Sequence, residues 1–177
     1  MNVFQLIKGR LRERRAHGSE SGVALVEFAL ILPLVIVILF GILDFGRAFN
    51  YWIDMTHLSN EGSRWAAVNR NPGGPSDTLQ RYLQCNANTD ELKNGGSQSV
   101  PNALLVDVQF PNGGTPLIGD PVVVTATTTF NWLPFLGDMV GVGSASITAS
   151  STMRLEQIPD NVAYQAGTGG TGIPGCP

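Results

Sequence analysis

The chain has little of what enzymes place at their centres. Its 177 residues include two histidines and two cysteines, and only 14% are charged, so acids, bases and metal ligands are few. It has no phosphate-cradling glycine motif, no HExxH and no GxSxG, so kinase, metalloprotease and lipase chemistry lack a residue set. His57 has no ligand cluster around it and reads as structural or solvent-facing; Asp90-Glu91 is a carboxylate pair without partners. These absences point to a protein that is not an enzyme, with no cofactor, no metal site and no small-molecule substrate. Low charge beside 43% hydrophobic content also excludes disorder driven by self-repulsion.

Positive charge is scarce except at one end. Residues 1–22 carry five basic and two acidic side chains, whereas residues 69–177 carry four basic and eight acidic ones. An acidic body argues against a nucleic-acid partner. The basic cluster (Lys8, Arg10, Arg12, Arg14, Arg15) instead precedes the run Val23 to Leu43, whose only charge is Glu27. As a helix this run rises about 31 Å, the thickness of a bilayer core. A cleaved secretory signal has a shorter apolar core and a small-residue cleavage site, which Asp44-Phe45-Gly46-Arg47 does not supply. The positive-inside rule predicts residues 1–22 in the cytoplasm and residues 44–177 across the bilayer.

Glu27 lies about one turn inside the apolar run, where a charge is costly and calls for a partner or a hydrated interface. Gly22 precedes the span by one residue, and Glu27 follows it by five. Gly22 and Glu27-Phe28, the core Leu30 to Leu34, Phe40-Gly41 and Asp44-Phe45-Gly46-Arg47 together resemble the TadE-like family of the tight-adherence (Flp-type) pilus assembly system. These proteins are pseudopilin-like and carry a class III signal peptide. The late stretch Ala149 to Arg154 is similar to that family's C-terminal strand.

The resemblance implies a bacterial cytoplasmic-membrane protein cut by a prepilin peptidase between Gly22 and Val23. It also implies pilus or pseudopilin subunits and the inner assembly machinery as partners, beside the lipid bilayer. Glu27, as fifth mature residue, would meet the free amine of a neighbouring subunit, with Phe28 and Pro33 on the same contact segment. Opposite charges in an apolar bundle attract strongly, whereas either alone pays desolvation. The first mature residue, Val23, departs from the phenylalanine common in pilins. Pro33 removes one helical hydrogen bond and bends the span or loosens one turn. Two alternatives stand beside this reading: an uncleaved single-pass anchor displaying a small extracytoplasmic binding domain, and an extracytoplasmic enzyme.

Beyond the span, Phe45, Phe49, Trp52, Ile53, Leu58, Trp65 and Val68 recur at mostly helical spacing. The pattern predicts one helix from about Ala24 to Ala67, with this apolar face packed on the chain's own sheet or, at Tyr51 and Trp52, at the membrane interface. Asp44 with Arg47 and Glu61 with Arg64 are spaced to pair along the helix. Asn71-Pro72-Gly73-Gly74-Pro75 ends it. A weakly helical segment over 76–92 follows. Strands are expected over Leu104–Phe110, Val122–Phe130 and Val142–Glu156, from their period-two alternation and β-branched content.

An apolar connection (Trp132, Leu133, Phe135, Leu136, Met139) reads as a core cover or a contact site. The expected fold is α+β and pilin-like: a long N-terminal helix packed on a small antiparallel sheet. Its parts are a basic leader (1–22), a transmembrane helix (23–43), a helical extension (44–68), an extracytoplasmic domain (69–165) and a glycine-rich tail (166–177). Cys85 and Cys176 both fall on the outer side, where they can bridge to each other, stay as thiols or pair between molecules.

Overall fold

The structure is a computed structural model that describes residues 3–74, 77–113, 115–134, 137–138, 141, 143–159 and 176, with backbone alone for 3–21. The chain divides into two compact units, Met1–Leu43 and Asp44–Pro177. Helix α1 (Val3–Ala67) begins well before the expected Ala24 and ends at the expected Ala67. The backbone of 3–21 and Gly22 continues the helical turns of the apolar run, and nothing in that stretch breaks them. The basic side chains of the leader, the loop residues Phe135, Leu136 and Met139, the strand start at Val142 and the tail apart from Cys176 lie outside the described residues.

The end of α1 is built from backbone. Asn69 takes a positive φ of 50°, its N–H donates to Ala66 O at 3.2 Å, and Arg70 N–H donates to Trp65 O at 3.0 Å. This is the paired-bond C-terminal cap, with asparagine tolerating the left-handed position. The weakly helical segment resolves into α2 (Leu79–Cys85) and α3 (Asp90–Asn94). Each starts at a threonine, Thr78 or Thr89, whose side chain accepts an N–H from the first turn.

The described strands are β1 (Leu105–Gln109), β2 (Pro121–Asn131) and β3 (Ser144–Arg154), each within about two residues of expectation. They form an antiparallel sheet in the order β1-β2-β3, with Val108 opposite Val124 and Ala126 opposite Ala149. β2 alternates strictly: Val122, Val124, Ala126, Thr128 and Phe130 are buried, and the residues between them are half-buried. That face closes on Tyr51, Met55, Leu58 and Ala66 of α1 and on Leu79, Leu83 and Leu92 of the short helices.

The helix face that meets the sheet is not the expected one. Leu58 is buried and Trp65 packs against the core, but Phe45, Phe49, Trp52 and Ile53 are exposed, from 64% at Phe45 to 41% at Ile53. The buried face instead runs through Asp44, Tyr51, Met55, Ser59, Gly62, Ser63 and Ala66. Small residues allow close approach: a Cβ at Gly62 would lie 2.5 Å from Leu83 Cδ1 and 3.0 Å from Val124 Cγ1. Bulky aromatics would hold the helix off the sheet there. Two serines finish the contact, Ser59 Oγ donating to Ala149 O at 3.0 Å and Ser63 Oγ bonding Ser151 Oγ at 3.0 Å.

Candidate membrane and subunit interface

The first unit carries the membrane-anchoring segment. Over Gly22–Ala67 α1 is the one helix among the described residues long and apolar enough to cross a membrane, and the most apolar part of it is unburied. From Val23 to Leu43 every large apolar side chain except the half-buried Val37 is exposed, with Phe28 at 63%. A bare apolar surface of this extent is not tolerated by water, and lipid or other apolar helices are its natural cover. The processing and contact residues expected from sequence all lie on this helix. Gly22 has open space where a side chain would be, Glu27 and Phe28 are exposed, and Pro33 sits within the helical run. Gly22 and Val23 are helical, so a protease would have to unwind this turn, which a glycine makes easier by about 1 kcal/mol relative to alanine.

In the second unit, the C-terminal half of α1 is fastened by polar groups, of which the sequence reading did not single out Asp54, Asn86 and Asn88. Asp44 is buried, and its Oδ2 accepts the Leu133 N–H at 2.8 Å. Arg47 pairs with Glu91 at 3.3 Å, and the Tyr51 hydroxyl donates to the same carboxylate. Asp54, also buried, accepts both the backbone N–H of Asn88 at 2.8 Å and its side-chain amide at 2.6 Å. The expected pairs along the helix give way to these contacts. Asp44 and Arg47 each bind the domain, and Glu61 accepts from Trp65 Nε1, Tyr82 and Asn86 while Arg64 is exposed. A carboxylate beside a buried backbone N–H gains more than one beside a solvated guanidinium. The spacing 47, 51, 54, 58, 61 is helical and could have marked this face, but only the fold brings Asn86, Asn88 and Glu91 to it.

One titration follows from this seam. Burial pushes the Tyr82 phenol above its ordinary value, and the nearby negative Glu61, which accepts its proton at a long 3.5 Å, adds to the rise. The folded value exceeds the unfolded one, so this contribution to stability is complete below the unfolded value near ~10 and is lost as pH climbs through the raised value. Denaturation midpoints should therefore fall on the alkaline side above about pH 10, and Tyr82→Phe should flatten that fall. An unchanged alkaline limb in Tyr82→Phe would assign the fall to other groups.

Cys85 and Cys176 form a disulfide, and Cys176 N–H also donates to Asn94 Oδ1 at 3.1 Å. His57 is exposed. Among the described residues no group of three or more histidine, cysteine or carboxylate side chains is placed to hold a metal ion. The exposed stripe Phe45, Phe49, Trp52 carries no charge, and Phe49 stacks on Trp52 with ring centroids 5.7 Å apart. What the arrangement offers is contact: apolar helix surface in the first unit and an aromatic stripe on the helix in the second. Compared with known proteins, residues 22–64 match the family model described as TadE-like protein. No curated protein and no solved structure matches the chain.

Proposed function

We propose that this chain, TadE-like over residues 22–64, is a membrane-anchored, pseudopilin-like component that assists the assembly or export of tight-adherence pili. The TadE-like segment and the single apolar helix support a membrane-associated, non-catalytic role. The observation that carries the finer reading is the bare surface of that helix with Glu27 set among its exposed apolar side chains. In this reading a prepilin peptidase cuts between Gly22 and Val23. The new α-amine of one subunit then meets Glu27 of the next, and each charge cancels the other's desolvation. Phe28 and the bend at Pro33 shape the same contact. The basic leader holds the N-terminus in the cytoplasm and the sheet domain is extracytoplasmic. Partners are pilus or pseudopilin subunits and the inner assembly machinery.

A second reading, an uncleaved single-pass anchor, is favoured by one observation: Gly22 lies inside an uninterrupted helix. Intact mass of protein extracted from the producing membrane decides between them. The expected species begins at Val23, and Gly22→Leu should keep residues 1–22 and abolish fibre assembly. Retained residues 1–22 in the unaltered chain, or normal assembly by the variant, would defeat the processing step. Crosslinking from position 27 should capture a pilin-like chain.

A further inference from the structure

We propose that the sheet domain binds a neutral saccharide in a cavity at the open end of the β2–β3 ladder. The cavity holds about 420 Å³ and is lined by Gln98, Ser99, Asn131, Trp132, Leu133 and Ser144 among others. Asn131 and Ser144 are the last pair of that ladder. The walls are fixed by backbone and side-chain hydrogen bonds. Asn131 N–H donates to Ser99 O at 2.7 Å, and its side-chain amide donates to Gln98 O at 3.1 Å, which pins 98–99 beside β2. Trp132 N–H reaches Gly143 O at 3.3 Å, and the buried Asp44 carboxylate holds the Leu133 N–H. Asp44 is thus a positioning residue for this wall.

The lining selects the ligand. Among the described residues no charged side chain lines the cavity, so a phosphate or carboxylate would enter without a counter-charge. A purely apolar molecule would leave polar groups dry. Ser99 is only 7% exposed, and its hydroxyl has no partner among the described residues; the exposed Gln98 side chain likewise has none. Trp132 meets Phe130 edge-on, with centroids 5.1 Å apart and planes at 84°, and is half-buried, so part of the indole is open. A ligand with a C–H face for that ring and hydroxyl or amide groups for Ser99 and Gln98 is a sugar ring, an acetamido sugar best of all. The volume lies in the lower part of the small-ligand range of about 300–1,000 Å³ and admits a disaccharide. An extended peptide is disfavoured, because the Asn131 and Ser144 backbones already face each other in the ladder and present no free strand edge to each other's side.

The test uses the full chain in a zwitterionic detergent, since alkyl glycosides would compete for the site. Titration with N,N′-diacetylchitobiose, followed by saturation-transfer NMR on the sugar, should give saturable binding in the ~1 mM range. Gln98→Ala, at an exposed position that leaves the core intact, should weaken binding about fivefold, the worth of one net hydrogen bond. Trp132→Ala should abolish it. No saturation transfer from the unaltered chain, equal affinity in Gln98→Ala, or binding of an acetylated tetra-alanine amide in place of the disaccharide would each overturn the proposal. Fibre assembly is not the readout, so this test stands apart from the function proposed above.

Discussion

The Cys85→Ser, Cys176→Ser double variant is expected to lose about 4–5 kcal/mol of the sheet domain's stability. The bridge joins residues 91 apart in sequence, and cross-linking so long a loop removes much entropy from the unfolded chain. Against the roughly 5–15 kcal/mol that holds an ordinary domain together, this is a large share. The cysteine-free variant should keep its far-ultraviolet helix signal, which α1 dominates, and lose cooperative near-ultraviolet structure at a temperature lower by on the order of 15 °C. A fall of less than about 1 kcal/mol would show that the bridge adds little beyond local tethering of Cys176.

Gly62→Leu is expected to cost about 3 kcal/mol or more, through overpacking where α1 crosses the sheet. The first added carbon would already press on Leu83 Cδ1 at 2.5 Å and Val124 Cγ1 at 3.0 Å, and both neighbours belong to the closed core. Gly62→Ala separates two effects. Alanine gains about 1 kcal/mol of helix propensity, while its contact is with the tips of side chains, one of them flexible. These nearly cancel, and a change within about 1 kcal/mol is the expected result. Leu83→Ala should restore part of the loss in Gly62→Leu, so the double variant should be more stable than additivity predicts. Additive losses measured by chemical denaturation would mean that Gly62 does not touch Leu83.

How much of this was readable from sequence follows from the range of each interaction. The apolar run, the stop at Asn71-Pro72 and the alternation of β2 depend on neighbours within a few residues, and each lies close to where the pattern puts it. On α1 hydrophobicity marks burial only in part: Leu58 and Trp65 meet the core, but Phe45, Phe49, Trp52 and Ile53 do not. Phe45, Phe49 and Trp52 are the larger side chains, yet Ser59, Gly62, Ser63 and Ala66 are the ones that let a helix lie on a sheet. That small-residue spacing was present in the sequence and was the better signal. The bonds from Asp44 to Leu133 and from Asp54 to Asn88 join residues 89 and 34 apart, and no local pattern announces them. The cavity at Trp132 is of the same kind: it exists only once segment 98–99, the end of β2 and the start of β3 are brought together.

The last described bonds of the sheet domain have a mechanical meaning. Just past β3, the amides of Glu156 and Gln157 both donate to Ala67 O, at 2.8 and 3.2 Å, on the final turn of α1. The domain's earliest and latest elements are therefore knotted by hydrogen bonds, and Cys176 is tied back to Cys85 as well. A tug on the helix is passed straight into the strand that closes the sheet. A domain fastened in this way has its first helix and its last strand held together directly.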